Sequence, residues 1–436
     1  MRDPEGRLRF VDGKAVRTLN PGFTLPEFLR SAAARELVAD GKLVPFEIVA
    51  GDAVESPQLA FVTLPTEWSD AHVQAAAGLT LDIAERVLGH GFELKDASAW
   101  NIIFDGGAAV FCDHFSFRPI ASQQWWAFGQ FCRHFIFPLA CARQRGLAAR
   151  EAFLLERDGL TEQRARRILG WRMLLPRTLP LMVAGRSRSA PPRAPAAETT
   201  KPGSPLHGAL IRYARYATQA PARRRGGSFW SGYVNERSHY SAPEAEAKRG
   251  IVARWLAAER PRAVLDIGCN TGEFSLAALA AGAKVIAIDS DHDSVQQLFL
   301  AQKGNRDLCT LIANFADMHG SRGWAEGEFP GLLGRLRGRC DMLLMLAVVH
   351  HIHISESIPL EEIAALCAEL TTAGLIVELI EPGDPMARQL AANRDKEVAA
   401  ASIDNQLAAF ARHFDTIACV DVVAGRRKLA LLKKRG

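Results

Sequence analysis

The C-terminal half of the chain predicts an α/β fold, a mostly parallel and doubly wound sheet that closes in an antiparallel hairpin. Three observations carry this expectation. Val264 to Ser275 reads Val-Leu-Asp-Ile-Gly-Cys-Asn-Thr-Gly-Glu-Phe-Ser: an apolar run, Asp266, glycines at 268 and 272, then a helical pattern. About twenty residues later, Lys284-Val-Ile-Ala-Ile-Asp289 is a second apolar run ending in a carboxylate. Beyond it, short apolar runs alternate with helical segments, as parallel strands require crossovers.

The elements follow in order. After the first strand, the glycines let backbone approach a ligand that a Cβ would hold away. The turn departs from the dinucleotide pattern Gly-x-Gly-x-x-Gly, because Asn270 stands where the second glycine would lie against a pyrophosphate. Asp289 has the spacing of an acid that accepts from both hydroxyls of a ribose, at roughly 1.5–3 kcal/mol per hydrogen bond. The third strand, Cys309-Thr-Leu-Ile-Ala, ends near Asn314 and Asp317. The fourth, from Asp341 to Val349, runs through Ala347 into His350-His351, and the fifth, Leu375 to Ile380, into Glu381-Pro382. Phe414 to Val423 and Lys428 to Lys433, around Ala424-Gly425, predict the closing hairpin. Helices are expected over 272–281, 291–303, 359–370 and 384–412.

Asp266, Gly268, Asn270 and Gly272 resemble motif I of class I S-adenosylmethionine (SAM)-dependent methyltransferases. The resemblance implies a Rossmann-like, seven-stranded methyltransferase sheet between about 250 and 436, with SAM as cofactor. SAM lacks a pyrophosphate, so Asn270 is tolerable for SAM and costly for NAD. Implied cofactor contacts are Asp266, Gly268, Asn270, Gly272, Asp289 at the ribose, Asn314 and Asp317 at the adenine, and Ala347. The candidate proton acceptors are His350, His351 and Glu381, because this fold opens its cleft at the carboxyl ends of strands four and five. A histidine of ordinary pKa near 6.5 accepts a proton at neutral pH. Neighbouring residues leaving a strand diverge, so one of the two is expected to face the methyl group. His353 lies further from the strand end; Glu378, inside strand five, is expected to meet a buried partner. Tyr233 and Tyr240 are candidates for a lid. No Asn/Asp-Pro-Pro-aromatic motif follows strand four, which leaves O- or N-methylation of a small molecule, sugar or peptide.

The N-terminal half predicts an α+β domain. A hairpin around Asp12-Gly13 precedes a helix from Pro26 to Ala39, strands at 43–49 and 58–64, a helix from Ser69 to Leu88 and a hairpin around Asp105-Gly106-Gly107. Asp96, Asn101 and Asp113, separated by 5 and 12 residues, resemble the catalytic loop and metal-binding Asp of kinase-like phosphotransferases. In that family the first Asp orients the acceptor hydroxyl, and the Asn and second Asp hold Mg²⁺ on ATP. Arg17 and Glu36 would then stand for the phosphate-gripping lysine and the helix glutamate. Leu94 replaces the usual His, Arg17 replaces Lys, and no glycine-rich loop is visible, so the resemblance implies a degenerate site with Mg-ATP as an alternative cofactor. In the tract Trp125 to Pro138, Trp126, Gln130 and His134 share one helical face, and Phe128, Phe131 and Phe135 another. This fits a core helix or an aromatic wall for the acceptor. The combination of both halves resembles a group of bacterial two-part proteins, some labelled nodulation-type methyltransferases.

The 436 residues divide into expected segments 1–184, a basic Pro/Arg-rich linker at 185–227, and 228–436. Between Gly185 and Gly227 basic residues outnumber the lone Glu198, with Pro-Pro at 191–192 and Arg223-Arg224-Arg225, which predicts an extended, self-repelling stretch. As a nucleic-acid tether it would make the protein an RNA methyltransferase. A kinase-led or bifunctional protein and a non-catalytic SAM-binding scaffold also fit the two-part pattern. The longest apolar runs are strand-length, short of the ~20 residues that span a bilayer, and Met1-Arg-Asp-Pro-Glu has no secretory pattern. The eight cysteines form no Cys-x-x-Cys pair, so neither a zinc site nor a disulfide framework is expected, and the cytoplasm is the expected location.

Overall fold

Alternating residues on either side of Asp12-Gly13 pair as strands β1 (Gly6–Val11) and β2 (Lys14–Leu19). Asp12 (φ 50°) and Gly13 (φ 73°) are both left-handed, as a two-residue hairpin turn requires. The structure, a computed structural model, describes residues 4–49, 53–121, 124–178, 205–219, 240–392 and 401–436. They fall into two units, Met1–Arg225 and Gly226–Gly436.

In the N-terminal unit the expected helix 26–39 is broken. A 3₁₀ turn (Glu27–Arg30) stops at Ser31, whose hydroxyl caps α1 (Ala32–Ala39) by accepting from the Ala34 N–H. β3 (Glu47–Val49) and β4 (Ala53–Pro57) complete an antiparallel sheet of order β1-β2-β4-β3. The second strand thus lies earlier than 58–64. Residues 53–57 exhaust the pairing with β2, and the Gln58 N–H closes that edge on the Gly13 carbonyl at 2.9 Å. Next come α2 (Asp70–Gly89), β5 (Phe92–Leu94), the hairpin β6 (Ile102–Asp105) and β7 (Ala108–Phe111), and β8 (Phe117–Pro119), which pairs with β5. The aromatic tract forms α3 (Phe128–Phe131), a π-helical turn (Cys132–Ile136) and α4 (Phe137–Arg145), followed by α5 (Glu151–Leu155) and α6 (Glu162–Leu169).

The stretch expected to be an extended linker contains α7 (Pro205–Thr218). His207, Ile211, Ala214 and Thr218 recur at helical spacing and are buried, and Arg215 pairs with Asp82 (2.8 Å) and Glu85 (3.0 Å) of α2. The basic residues around that stripe masked it. Apart from Gln219, the rest of the stretch, including Glu198 and Arg223 to Arg225, lies outside the described residues.

The C-terminal unit opens with α8 (Ala242–Glu259), then alternates β9 (Ala263–Ile267), α9 (Glu273–Ala280), β10 (Lys284–Asp289), α10 (His292–Ala301) and β11 (Leu308–Ile312). α11 (Leu332–Leu336), β12 (Cys340–Met345), α12 (Leu360–Leu370) and β13 (Thr371–Ile380) follow. The expected helix 384–412 is two helices, α13 (Pro385–Ala392) and α14 (Ile403–Phe410), the second begun by the cap residue Ser402. β14 (Phe414–Val423) and β15 (Arg427–Lys434) form the hairpin. The sheet order is β11-β10-β9-β12-β13-β15-β14, parallel through β13 and antiparallel thereafter. Its strands bury Val264, Leu265, Ala287, Leu344, Ile376 and Leu429. Among the described residues no helix is long and apolar enough to cross a membrane.

A buried ionic network fixes this sheet's later strands. Glu378, in β13, accepts from Lys248 of α8 at 2.6 Å and from the Tyr240 hydroxyl, and Arg427 of β15 lies 3.7 Å away. Arg427 also grips Asp384 with two hydrogen bonds, at 2.7 and 2.8 Å, and donates to Tyr240 at 2.8 Å. Burial pushes the Glu378 carboxyl up, but Lys248 and Arg427 outweigh it and hold the pKa below its ordinary value. With two cations and two carboxylates the cluster is formally neutral, which is what makes its burial tolerable.

Glu378→Ala takes the carboxylate from Lys248 and leaves the cluster with a net positive charge, Arg427 keeping only Asp384, and is expected to cost about 3–5 kcal/mol in chemical denaturation. The Arg262–Asp341 pair, 3.6 Å apart with its guanidinium in solvent, is the internal contrast: Arg262→Ala is expected to cost less than about 1 kcal/mol.

Candidate active site

The turn after β9 is built from backbone. Gly268 (φ 73°) donates its N–H to the Ile288 carbonyl at 2.9 Å, and a Cβ there would stand 2.5 Å from Val348. Asn270 is left-handed too (φ 49°); its N–H reaches Asp289 at 2.8 Å, and its side-chain oxygen accepts from Thr271 at 2.7 Å. Asn and Asp tolerate this region better than other non-glycine residues. Gly272 (φ 91°) begins α9, with the Leu298 side chain filling the space that a Cβ would need.

Two carboxylates end the adjacent strands β9 and β10. Asp266 is buried and accepts from the Ser275 hydroxyl at 2.5 Å, and burial, assisted by Asp289, raises its pKa to about 6. Asp289 is oriented by the N–H groups of Asn270 and Asp291, each at 2.8 Å, on different oxygens. A carboxylate has about four acceptor positions, so Asp289 can still accept from a diol. Burial raises the Asp289 pKa against those hydrogen bonds. Asn314 and Asp317 lie beyond β11 and pair as an isolated bridge, with the Asn314 side chain accepting from Ala316 at 3.0 Å. Ala347 leaves β12 at φ 60°, a strained conformation for alanine, of the kind that collects at functional sites.

His350 and His351 follow in a π-helical turn (His351–Ser355), their rings 4.2 Å apart. His350 is buried, and burial, then Arg427, lowers the His351 pKa to about 4. His353 bonds the Ile358 carbonyl at 2.9 Å, a structural role. Glu381 accepts from the Ile403 N–H at 3.2 Å, at the start of α14. Tyr240 is no lid: its hydroxyl is held in the ionic network, and burial drives its pKa far up. Tyr233 lies outside the described residues. Lys248, Arg427 and Asp384 escaped sequence reasoning, because their pairings span distant segments; Lys248 also weighs against the raised pKa of Asp266.

In the N-terminal unit the structure brings Asp96, Asn101, Asp113 and Arg17 together and leaves Glu36 apart. Arg17 forms an ion pair with Asp113, while Glu36 faces His90 at 3.4 Å. The separation follows from α1 turning Glu36 outward, where it is exposed. Gln130 accepts from the Ala97 N–H at 2.8 Å and His134 from the Ala99 N–H at 3.2 Å, so their shared helical face braces the loop after Asp96. Trp126 of that face is exposed, with Arg118 5.1 Å above its ring.

Residues 239–414 match a family described as a methyltransferase domain. With the sheet order and the turn after β9, this makes the C-terminal unit a class I SAM-dependent methyltransferase domain, and the protein a SAM-dependent methyltransferase. The chain is similar to nodulation protein NoeA of Rhizobium meliloti (strain 1021), 27% identical over 417 residues that span 90% of this chain and 87% of that one. It is also similar to cypemycin N-terminal methyltransferase of Streptomyces sp, 39% identical over 72 residues, which are 16% of this chain and 29% of that one. Magnesium protoporphyrin IX methyltransferase from Synechocystis PCC 6803, crystallised with bound SAH, is 17% identical at a TM-score of 0.33, covering 47% of this chain and 95% of that one.

Gly272→Ala forces alanine into the left-handed region against Leu298. Urea denaturation is expected to show a loss of about 1–3 kcal/mol, and SAM calorimetry weaker binding.

Proposed function

We propose that this methyltransferase acts on a nitrogen of a small-molecule, sugar or peptide acceptor, with a hydroxyl oxygen as the second choice. The observation that carries this reading is the placement of His351 beyond β12, at the start of the turn His351–Ser355, where burial and Arg427 lower its pKa to about 4. SAM, when bound, supplies an electrophilic methyl group on a sulfonium, which leaves as a neutral thioether once the acceptor's lone pair attacks in line. Asp289 would hold the ribose, and the Gly268–Gly272 turn would hold the remainder of the cofactor close to backbone. His351 stays neutral at pH 7 and can take up a proton, but so weak a base gives little help in ionising a hydroxyl. An uncharged amine carries its own lone pair and needs no base before transfer. Glu381, at the exit of β13, keeps acceptor capacity for an amine N–H beyond its bond to Ile403. The cypemycin methyltransferase is named for action at an N-terminus, which fits the same preference.

A second reading concerns the N-terminal unit. The β6–β7 hairpin separates Asn101 from Asp113 in sequence yet leaves both beside Ser116, an arrangement that favours a kinase-like fold for this unit.

Methyl-labelled SAM offered with matched panels of amines and alcohols tests the main reading. Label on nitrogen, abolished in Asp289→Ala, is expected; label on hydroxyls alone contradicts the preference. The His351 ring is expected to titrate near pH 4 in NMR. Because its pKa is depressed, the neutral, proton-accepting form is lost only as pH falls through about 4. Titration near the ordinary 6.5 would remove the argument.

A further inference from the structure

The resemblance of Asp96, Asn101 and Asp113 to a phosphotransferase site implies Mg²⁺ on ATP, and the contacts around these residues decide whether a cation fits. Mg²⁺ demands oxygen ligands at about 2.0–2.1 Å in near-octahedral array. The Asp113 Oδ1 atom accepts from Arg17 and from the Phe115 N–H at 3.1 Å, and Oδ2 accepts from the Ser116 hydroxyl. Ser116 in turn accepts from the Asn101 side-chain amide at 3.1 Å, so one hydroxyl bridges the two side chains that a metal would bridge. Asn101 also hydrogen-bonds Asp96, which lowers a carboxyl pKa that burial and then Asp113 raise. The Arg17 guanidinium is pinned 3.8 Å over the Phe115 ring, which fixes it against the carboxylate. Burial pushes the Asp113 carboxyl up, but Arg17 and Ser116 outweigh it and leave the group ionised. Arginine is always charged and its planar fork matches a carboxylate, so this positive charge is permanent, unlike an exchangeable ion.

We infer that Arg17 and Ser116 take the place of a divalent cation at the Asp96–Asn101–Asp113 cluster, so that the N-terminal unit holds this cluster closed without metal. The unit therefore carries no Mg-dependent phosphoryl transfer, and the cluster instead ties β2 to the segment after β7. This follows from the contacts themselves and stands whether or not the unit is kinase-like.

Mn²⁺ titrated into the full chain, with and without ATP, and followed by the EPR signal of free Mn²⁺ relative to a protein-free blank of the same ATP content, tests it. The wild type and Asp113→Asn are expected to behave alike, with no saturable site tighter than about 1 mM. If Asp113→Asn does not fold, Asn101→Ala serves as the same control. The double variant Arg17→Gln, Ser116→Ala removes both donors and is expected to bind Mn²⁺ at least about tenfold more tightly. A saturable wild-type site that is lost in either control overturns the inference. Absence of a gain in the double variant, folded by circular dichroism, equally counts against Arg17 and Ser116 as the excluding groups.

Discussion

The C-terminal unit depends on one compensated charge, the Glu378 carboxylate, fully buried in β13 between Lys248 and Arg427. A lone carboxylate there would be untenable; with two cations, Tyr240 and Asp384 it becomes a joint between four segments. Those segments are the entry to α8, strand β13, the turn after β13, and strand β15. Each borders the end of the sheet where a ligand enters a doubly wound fold. The network ties these segments together, and Arg427 also helps to lower the His351 pKa. Tyr240, a lid candidate from sequence alone, serves this joint.

The cofactor end works by a different rule. Asp266 and Asp289 lie on neighbouring parallel strands, with Ala287 opposite Asp266 in register. Burial disfavours the ionised form of both, and the charge of Asp289 adds to the shift at Asp266. Backbone N–H groups of Asn270 and Asp291 oppose the upward shift at Asp289, while burial, assisted by Asp289, pushes Asp266 up to about 6 against its bonds to Ser275. The two acids are therefore unequal: Asp289 is held by loop backbone on both oxygens, and Asp266 braces α9 through Ser275.

Sequence made the parallel strands legible because each couples an apolar run to a polar exit, and buried parallel strands leave few other choices. The glycine turn was legible for the same local reason. What escaped were features whose physics is non-local. Arg17 was marked for a phosphate, yet it meets Asp113, 96 positions away. Lys248 and Glu378 are 130 apart, and although Glu378 was expected to meet a buried partner, nothing local named it. α7 failed for another reason: its apolar stripe is narrow, and the surrounding basic residues read as an extended chain. Helix 26–39 broke at Ser31, where a capping hydroxyl competes with continuing the helix.

The central claim is that the β9–β10 end of this sheet binds SAM through Asp289. Calorimetry of SAM with the full chain and with Asp289→Ala tests it most directly. One saturable site of micromolar affinity, weakened at least about tenfold in the variant, is the predicted result. No SAM binding to the wild type, or equal binding to the variant, would contradict the account.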